Sequence, residues 1–295
     1  MNEFKTYHPI VNFTYFAFVI GFSIVFMHPI CLAISLSLAF AYSVMLKGRK
    51  AVKINLLYMI PTILTCAIVN PAFNHEGITV ICYLPSGNPL TLESVIYGIA
   101  TALMLVCVIC LFSCFNEVMT SDKFVYLFGK VSPSLSLLLS MALRFVPRFI
   151  SQFKSVASVQ KFMGNDISSG GIIRRIKSAS AIVSTVTTWS LENAIDTADS
   201  MKSRGYGLCV RTSFSNFRFD KRDLLAEACI LSLGSYIVLG SALGKIKCRY
   251  FPSLKFADAS PFSISIFTAY FLLFALPIII EILEVIKWKT IKSKI

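Results

Sequence analysis

Charged residues are scarce in this sequence, and their scarcity excludes a water-soluble globular protein. Only 15% of the 295 residues are charged, whereas 56% are hydrophobic and the mean hydropathy is +0.72. A globule cannot keep so much apolar surface out of water. The chain is therefore predicted to be an all-α, polytopic membrane protein.

The signature motifs of enzymes and nucleotide-binding proteins are absent as well. There is no G-x-x-x-x-G-K-[ST] phosphate loop, no H-E-x-x-H helix, no paired-aspartate metal motif and no serine elbow. His8, His28 and His75 are isolated from one another, and the segment 74–76 offers too few ligands for a metal site. We therefore predict no catalytic, cofactor-binding or metal-binding residue, although an intramembrane enzyme stays open as an alternative.

Ionisable side chains are nearly missing from the middle of the apolar segments. Glu93, Glu227, Glu281 and Glu284 all lie near segment ends. Ion-driven carriers and proton pumps usually need such groups at membrane depth, where they couple ion and substrate movement. A self-contained ion-driven carrier is therefore disfavoured.

The cysteines do not form a pattern that predicts disulfides. There are 9, an odd number, and most lie in apolar segments. Cys107-x-x-Cys110 has the spacing of a metal or redox pair, but it lies in mid-span without a second pair or a nearby histidine. We interpret both residues as small buried side chains.

Long uncharged runs predict six membrane spans, at about 20 residues per crossing. No signal peptide is evident, because the first run lacks a small-residue cleavage site. The spans are two in Val11–Leu46, hinged at His28-Pro29, and one each in Ile54–Ala72, Leu92–Phe115, Leu224–Leu243 and Pro261–Ile286.

The basic residues predict the orientation in the cell membrane. With both termini in the cytoplasm, all of them lie in inner segments except Lys245, Lys247, Arg249 and Lys255, which leave the limits of the fifth span open. The net charge of +13 is explained by these loops and by anionic lipid. Because the basic residues lack interleaved aromatics, no nucleic-acid partner is predicted.

The longest polar stretch predicts a separate cytoplasmic region. The expected division is 1–115, an N-terminal membrane part, 116–222, a cytoplasmic helical region, and 223–295, a C-terminal membrane part. The uncharged runs Val131–Leu143 and Ala179–Leu191 of this cytoplasmic region are shorter than the about 20 residues that a membrane span needs. Pro147 is expected to kink or interrupt the helix that follows the first run.

The second run leads into a strongly helical segment with a distinctive end. Leu191, Ile195, Ala198 and Met201 form an apolar stripe beside an acidic one made of Glu192, Asp196 and Asp199. Lys202 and Arg204 then close the helix, and Gly205 is placed to cap it. Such an end is ordinary capping chemistry, but it also exposes an arginine that can dock a soluble partner.

Three stretches together resemble one known family over nearly the whole chain. Leu191–Gly207 is similar to the second coupling motif of the transmembrane T components of energy-coupling factor transporters, bacterial importers of vitamins and transition metals. Asn70–Glu93 is similar to the outer loop of one branch of that family. Leu143–Pro147 matches the segment that leads into the first coupling helix.

The resemblance implies a non-catalytic subunit. A T component holds a separate substrate-binding S component and rests two coupling helices on a pair of ABC ATPase subunits, which bind the ATP. It implies that Ser203, Arg204 and Gly205 form one docking motif. The permease of a conventional ABC importer, with a single coupling helix per subunit, is the main alternative.

The first coupling motif departs from the family pattern. The corresponding residues are Phe162, Met163 and Gly164, so the arginine is absent, and neither Lys161 nor the later pair Arg174-Arg175 replaces it cleanly. The site either docks through apolar contact, is weakened, or meets a diverged ATPase. We expect asymmetric docking, in which the end at Arg204 carries more of the coupling.

The glycines near these motifs allow two interpretations. Gly164, Gly170, Gly171 and Gly205 either permit sharp turns between coupling helices or are simply loop residues.

Overall fold

The fold is all-α, as predicted, in a computed structural model that describes residues 3–74, 76–83, 89–164, 171–206, 217–246, 248–252, 255–256 and 260–292. Short antiparallel pairs join β1 (Val80–Tyr83) to β2 (Pro89–Thr91) and β3 (Cys248–Arg249) to β4 (Lys255–Phe256). The helices are α1 (Pro9–Val25), α2 (Pro29–Lys47), α3 (Arg49–Phe73), α4 (Leu92–Val118), α5 (Ser121–Val131), α6 (Pro133–Phe162), α7 (Ile172–Ser203), α8 (Lys221–Ala242) and α9 (Pro261–Lys292).

Two histidine-proline pairs start the first two long helices. His8 accepts the backbone N–H of Ile10 at Nδ1, and His28 accepts that of Ile30, each at 3.3 Å. In both cases proline follows directly, where its fixed φ suits the first helical position. Burial lowers the pKa of His28, which favours the neutral ring that can accept this bond. The predicted hinge at His28 is confirmed, since α1 and α2 meet there.

Backbone contacts divide the chain into two compact units. The first unit comprises residues 1–120 and 217–295, and the second unit comprises residues 121–216. The limits of the second unit lie close to those of the predicted cytoplasmic region, 116–222. The functional division into membrane and cytoplasmic parts stays a prediction.

Aromatic and small side chains form the core of the first unit. The ring of Tyr15 lies 5.2 Å from that of Phe4, which in turn lies 6.4 Å from Tyr42. Cys107 and Cys110 of α4 are free thiols buried in the same core. The interpretation of this pair as small buried side chains is confirmed.

Buried polar contacts fix the N-terminal residues to α8 and α9. The Asp223 carboxylate is buried and accepts the backbone N–H of His8 at 3.2 Å and that of Asp220 at 3.0 Å. Glu281 of α9 accepts the N–H of Glu3 at 3.0 Å. Each oxygen of the buried Asp223 carboxylate thus accepts one backbone N–H, which offsets the cost of burying its charge.

The helices that qualify as membrane spans differ in part from the predicted set. Six of the described helices are long and apolar enough, but they include α6 and omit α1, which has only 17 residues. At about 1.5 Å per residue, α1 is a few ångströms short of the hydrocarbon thickness. Arg144 and Arg148 lie near the centre of α6, so its apolar character belongs to the N-terminal half. The chain is a multi-pass membrane protein.

The second unit packs α6 against α5 and α7. Phe149 of α6 meets Trp189 of α7 edge-on at 6.0 Å, and Arg148 lies 5.4 Å above the same indole. Pro147 was expected to kink or interrupt the helix; α6 continues through it to a length of 30 residues, so an interruption there is excluded. Proline removes one hydrogen-bond donor from the helix, and the two residues that follow it, Arg148 and Phe149, both contact Trp189 of α7.

Candidate partner-docking site

The end of α7 is closed by two backbone hydrogen bonds. Arg204 is the cap residue, with φ −85° and ψ 7°, and Gly205 follows with φ +75°. Tyr206 N–H donates to the carbonyl of Met201 at 3.1 Å. Gly205 N–H donates to the carbonyl of Lys202 at 3.0 Å. This pair of bonds is a Schellman motif, and glycine is the residue that adopts its positive φ at low cost.

The side chains of the predicted motif are exposed on this fixed backbone. Ser203 donates its hydroxyl to the carbonyl of Ser200 at 2.9 Å, back along the helix. Arg204 is exposed, and its guanidinium has no hydrogen-bond or ion-pair partner among the described residues. A guanidinium carries five donors in a planar fork, so this end of α7 offers a cation suited to a carboxylate or to carbonyl groups.

A basic groove lies beside Arg204, between α6 and α7. Its volume is about 570 Å³, and its lining includes Arg144 and Arg148 from α6 and Asp196 and Arg204 from α7. Three guanidinium groups face a single carboxylate, so the groove attracts acidic groups. The pair on α6 is spaced four residues apart, which is the spacing that puts two side chains on one helix face.

The apolar stripe on α7 is exposed rather than packed. Leu191 retains 65% of its accessible surface and Ile195 retains 64%. Glu192 and Asp199, of the acidic stripe, are exposed as well. The surface of α7 that leads to Arg204 therefore exposes an apolar stripe and acidic residues.

The end of α6 has the same backbone as the end of α7. Met163 is the cap residue, with φ −79° and ψ 5°, and Gly164 follows with φ +82°. Gly164 N–H donates to the carbonyl of Lys161 at 3.1 Å. The predicted pairing of Phe162–Gly164 with Ser203–Gly205 is therefore matched residue by residue in conformation, with methionine at the place of arginine.

The side chains at the end of α6 are apolar and exposed. Phe162 retains 90% of its accessible surface and Met163 retains 70%. Arg174, ten positions after Gly164 in sequence, donates from Nη2 to the carbonyl of Gly164 at 3.3 Å. Sequence spacing alone did not place Arg174 at this helix end.

The glycines behave differently from one another. Gly164 and Gly205 both terminate helices at positive φ. Gly171 is the N-cap of α7 with φ −67°, a conformation open to any residue, and Gly170 lies outside the described residues. Sharp turns that require glycine are therefore found at two of the predicted positions.

The loop after α3 is held by hydrogen bonds. Asn74 Oδ1 accepts the N–H of Glu76 at 3.2 Å, and Thr91 donates its hydroxyl to the Glu76 carbonyl at 2.9 Å. Glu93 accepts the N–H of Thr79 at 3.3 Å. His75 lies outside the described residues, and the part of the chain that is described contains no group of three potential metal ligands.

Sequence reasoning missed three features of these helix ends. It did not find Tyr206 as the donor that completes the α7 cap, the position of Arg174, or the grouping of Arg144 and Arg148 with Arg204. Only the four-residue spacing of the α6 arginines was visible in the sequence.

Known proteins are similar in sequence to about a third of this chain. An "Energy-coupling factor transporter transmembrane protein EcfT" of Lactobacillus helveticus (strain DPC 4571) is 34% identical over 106 residues, which is 36% of this chain and 38% of the relative. Proteins of the same name from Lactococcus lactis subsp. cremoris (strain MG1363) and Staphylococcus aureus (strain 04-02981) are 32% and 33% identical, over 36% and 34% of this chain and 41% and 37% of their own lengths.

The alignments with these relatives thus span about two fifths of their length. A family-wide pattern covers more: residues 6–214 match the CbiQ family, described as cobalt transport protein. That match takes in α1 to α7 and both helix ends. The chain belongs to the CbiQ family.

Proposed function

We propose that this chain is the transmembrane T component of an energy-coupling factor importer. In this role it transmits ATP-driven motion from two ABC ATPase subunits to a membrane-embedded S component, which binds a vitamin or a metal ion. The chain itself is non-catalytic and holds no cofactor, because the ATP sites belong to the ATPases. Its other partner is membrane lipid, and it has no nucleic-acid partner.

The observation that carries this proposal is the exposed Arg204 on the rigid cap of α7. A cation on a fixed backbone loses little entropy on binding, so its donors contribute more to affinity. Ser203 and Gly205 complete the motif by holding the helix end in place. The names of the relatives, which are transporter transmembrane proteins, support the same role.

The coupling mechanism follows from the contact between α6 and α7. When nucleotide draws the two ATPases together, each ATPase moves the helix end that it holds. The contacts of Trp189 with Phe149 and Arg148 link the two helices away from their ends. Packed helices shift between discrete arrangements, so the motion reaches the S component rather than being absorbed.

Docking is asymmetric in this proposal. The cap position is arginine at the end of α7 and methionine at the end of α6. Arg204 donates several charge-assisted hydrogen bonds to its ATPase, whereas Phe162 and Met163 offer apolar contact. The end of α7 therefore contributes more of the binding free energy.

The orientation of the chain belongs to the same proposal. Both termini lie in the cytoplasm, and so do the ends of α6 and α7, since the ATPases are soluble. The excess of Lys and Arg in the segments assigned to the cytoplasm supports this orientation.

Purification from native membranes in dodecyl maltoside tests the proposal. The expected complex contains this chain, two ATPases with G-x-x-x-x-G-K-[ST] loops, and one small apolar S component without such a loop. A complex with a second copy of this chain and a soluble binding protein would instead identify a conventional ABC permease. Substrate turnover by the isolated chain would contradict both and support an intramembrane enzyme.

A further inference from the structure

Arg174 lies at the end of α6 although it belongs to α7. It is the third residue of α7, it is exposed, and its Nη2 is 3.3 Å from the carbonyl oxygen of Gly164. That carbonyl follows the last turn of α6, where helix carbonyls lack partners within the helix. A guanidinium is thus anchored beside the cap residue Met163.

The anchored guanidinium keeps most of its donors. One N–H of five is used by Gly164, and the guanidinium has no second hydrogen-bond or ion-pair partner among the residues that the structure describes. An arginine held by a first bond has already lost part of its rotamer freedom, so further bonds cost less entropy. Arg174, like Arg204, is therefore a positioned cation at a helix end.

The surface around Arg174 is apolar and open. Ile172 retains 76% and Ile173 retains 85% of accessible surface, and both line a shallow depression together with Arg174 and Lys177. Phe162 is exposed at the neighbouring end of α6. Apolar anchors around an arginine are typical of the residues that contribute most to protein–protein affinity.

We propose that Arg174 replaces, in space, the arginine that the segment Phe162–Gly164 lacks in sequence, and that it contacts the ATPase docked at the end of α6. This inference rests on the proposed function, which supplies the occupant of the surface. The matched backbones of the two helix ends support an equivalent occupant at each. The docking motif at α6 is then assembled from two helices, whereas the motif at α7 is continuous.

A rescue experiment tests this replacement. The probe is the ATPase pair recovered with the wild-type chain, purified and titrated against detergent-solubilised variants. Arg174→Gln is expected to weaken binding about tenfold, the effect of one charge-assisted hydrogen bond. Adding Met163→Arg to Arg174→Gln is expected to restore binding to within about threefold of the wild type, because it returns a guanidinium to the same place.

Two control variants are needed. One distinguishes a specific contact of Arg174 from a general effect of charge, and the other distinguishes failure of this inference from failure of the proposed function. Lys154→Gln removes an exposed positive charge from α6, about two turns before its end and outside both docking surfaces, and is expected to leave binding within about twofold. Arg204→Gln tests the end of α7. If Arg204→Gln weakens binding and Arg174→Gln does not, this inference is wrong and the proposed function stands.

Two other outcomes also decide the matter. Loss of binding in Arg174→Gln without rescue by Met163→Arg, accompanied by lower helicity in circular dichroism, means that Arg174 only caps α6 and overturns the inference. Recovery of the wild-type chain from native membranes without any ATPase contradicts the proposed function itself.

Discussion

The ends of α6 and α7 share a backbone and differ in their side chains. Each helix stops at a cap residue with nearly the same φ and ψ and then turns through a glycine at positive φ, Gly164 or Gly205. The cap side chain is methionine in one case and arginine in the other. The comparison teaches that the cap fixes where a side chain is presented, while the side chain decides how a partner is held.

The surroundings of the two helix ends differ too, because more arginines lie near the end of α7. Arg204 lies beside a groove with two more arginines, Arg144 and Arg148. Met163 lies beside Phe162, and the guanidinium of Arg174 reaches that end from another helix. A shared backbone with different side chains fits the proposed pair of unequal contacts.

Reversing the charge at Arg204 gives the largest expected loss. Arg204→Glu is predicted to weaken ATPase binding about 100-fold, since loss of a close charge contact at an interface costs a few kcal/mol. Titration of the purified ATPases against the solubilised chain measures it. Lys202→Glu makes the same change in net charge at the same exposed helix end and should cost less than about tenfold. Equal losses would mean that only the overall charge matters.

A substitution in the first unit tests whether docking depends on the helix ends alone. Asp223→Ala leaves two backbone donors without their acceptor and is predicted to lower the free energy of unfolding by about 2 kcal/mol. Thermal unfolding in detergent measures the loss. The amount of ATPase bound per folded chain should stay unchanged, because Asp223 contacts neither helix end. A parallel fall in ATPase binding would show that docking depends on the first unit as well as on the helix ends.

The paired glycines test whether equal backbones have equal energetic roles. Gly205→Val and Gly164→Val each force a β-branched residue to positive φ, at a predicted cost of about 1 to 2 kcal/mol in helix-end stability. Circular dichroism should show similar losses of helicity for the two variants. ATPase binding should fall further for Gly205→Val, because that cap positions Arg204. A larger effect of Gly164→Val would reverse the proposed asymmetry.

Much of the first unit could be predicted from the sequence, because its helices follow long apolar runs. The hinge at His28-Pro29 was visible since proline marks a first helical turn. The role of His28 as an N-cap was not, because a histidine that accepts a backbone N–H looks like any interfacial histidine in sequence.

The second unit was harder to predict, because tertiary contacts determine it. Pro147 suggested a kink or a break, and α6 runs on through it without a break. The cap at Gly205 was predicted from local chemistry alone, whereas its pairing with Gly164 came from the resemblance to a known family. Arg174 was dismissed by its distance in sequence, and only the fold brings it to Gly164.

The most direct test of the account compares Arg204→Glu with Met163→Glu in one titration of the purified ATPases. Each variant places the same carboxylate on the same type of backbone, so the difference reports the native side chain alone. The account predicts that Arg204→Glu weakens binding about tenfold more than Met163→Glu, as expected when one native contact is charge-assisted and the other is apolar. Equal losses at the two positions would contradict it.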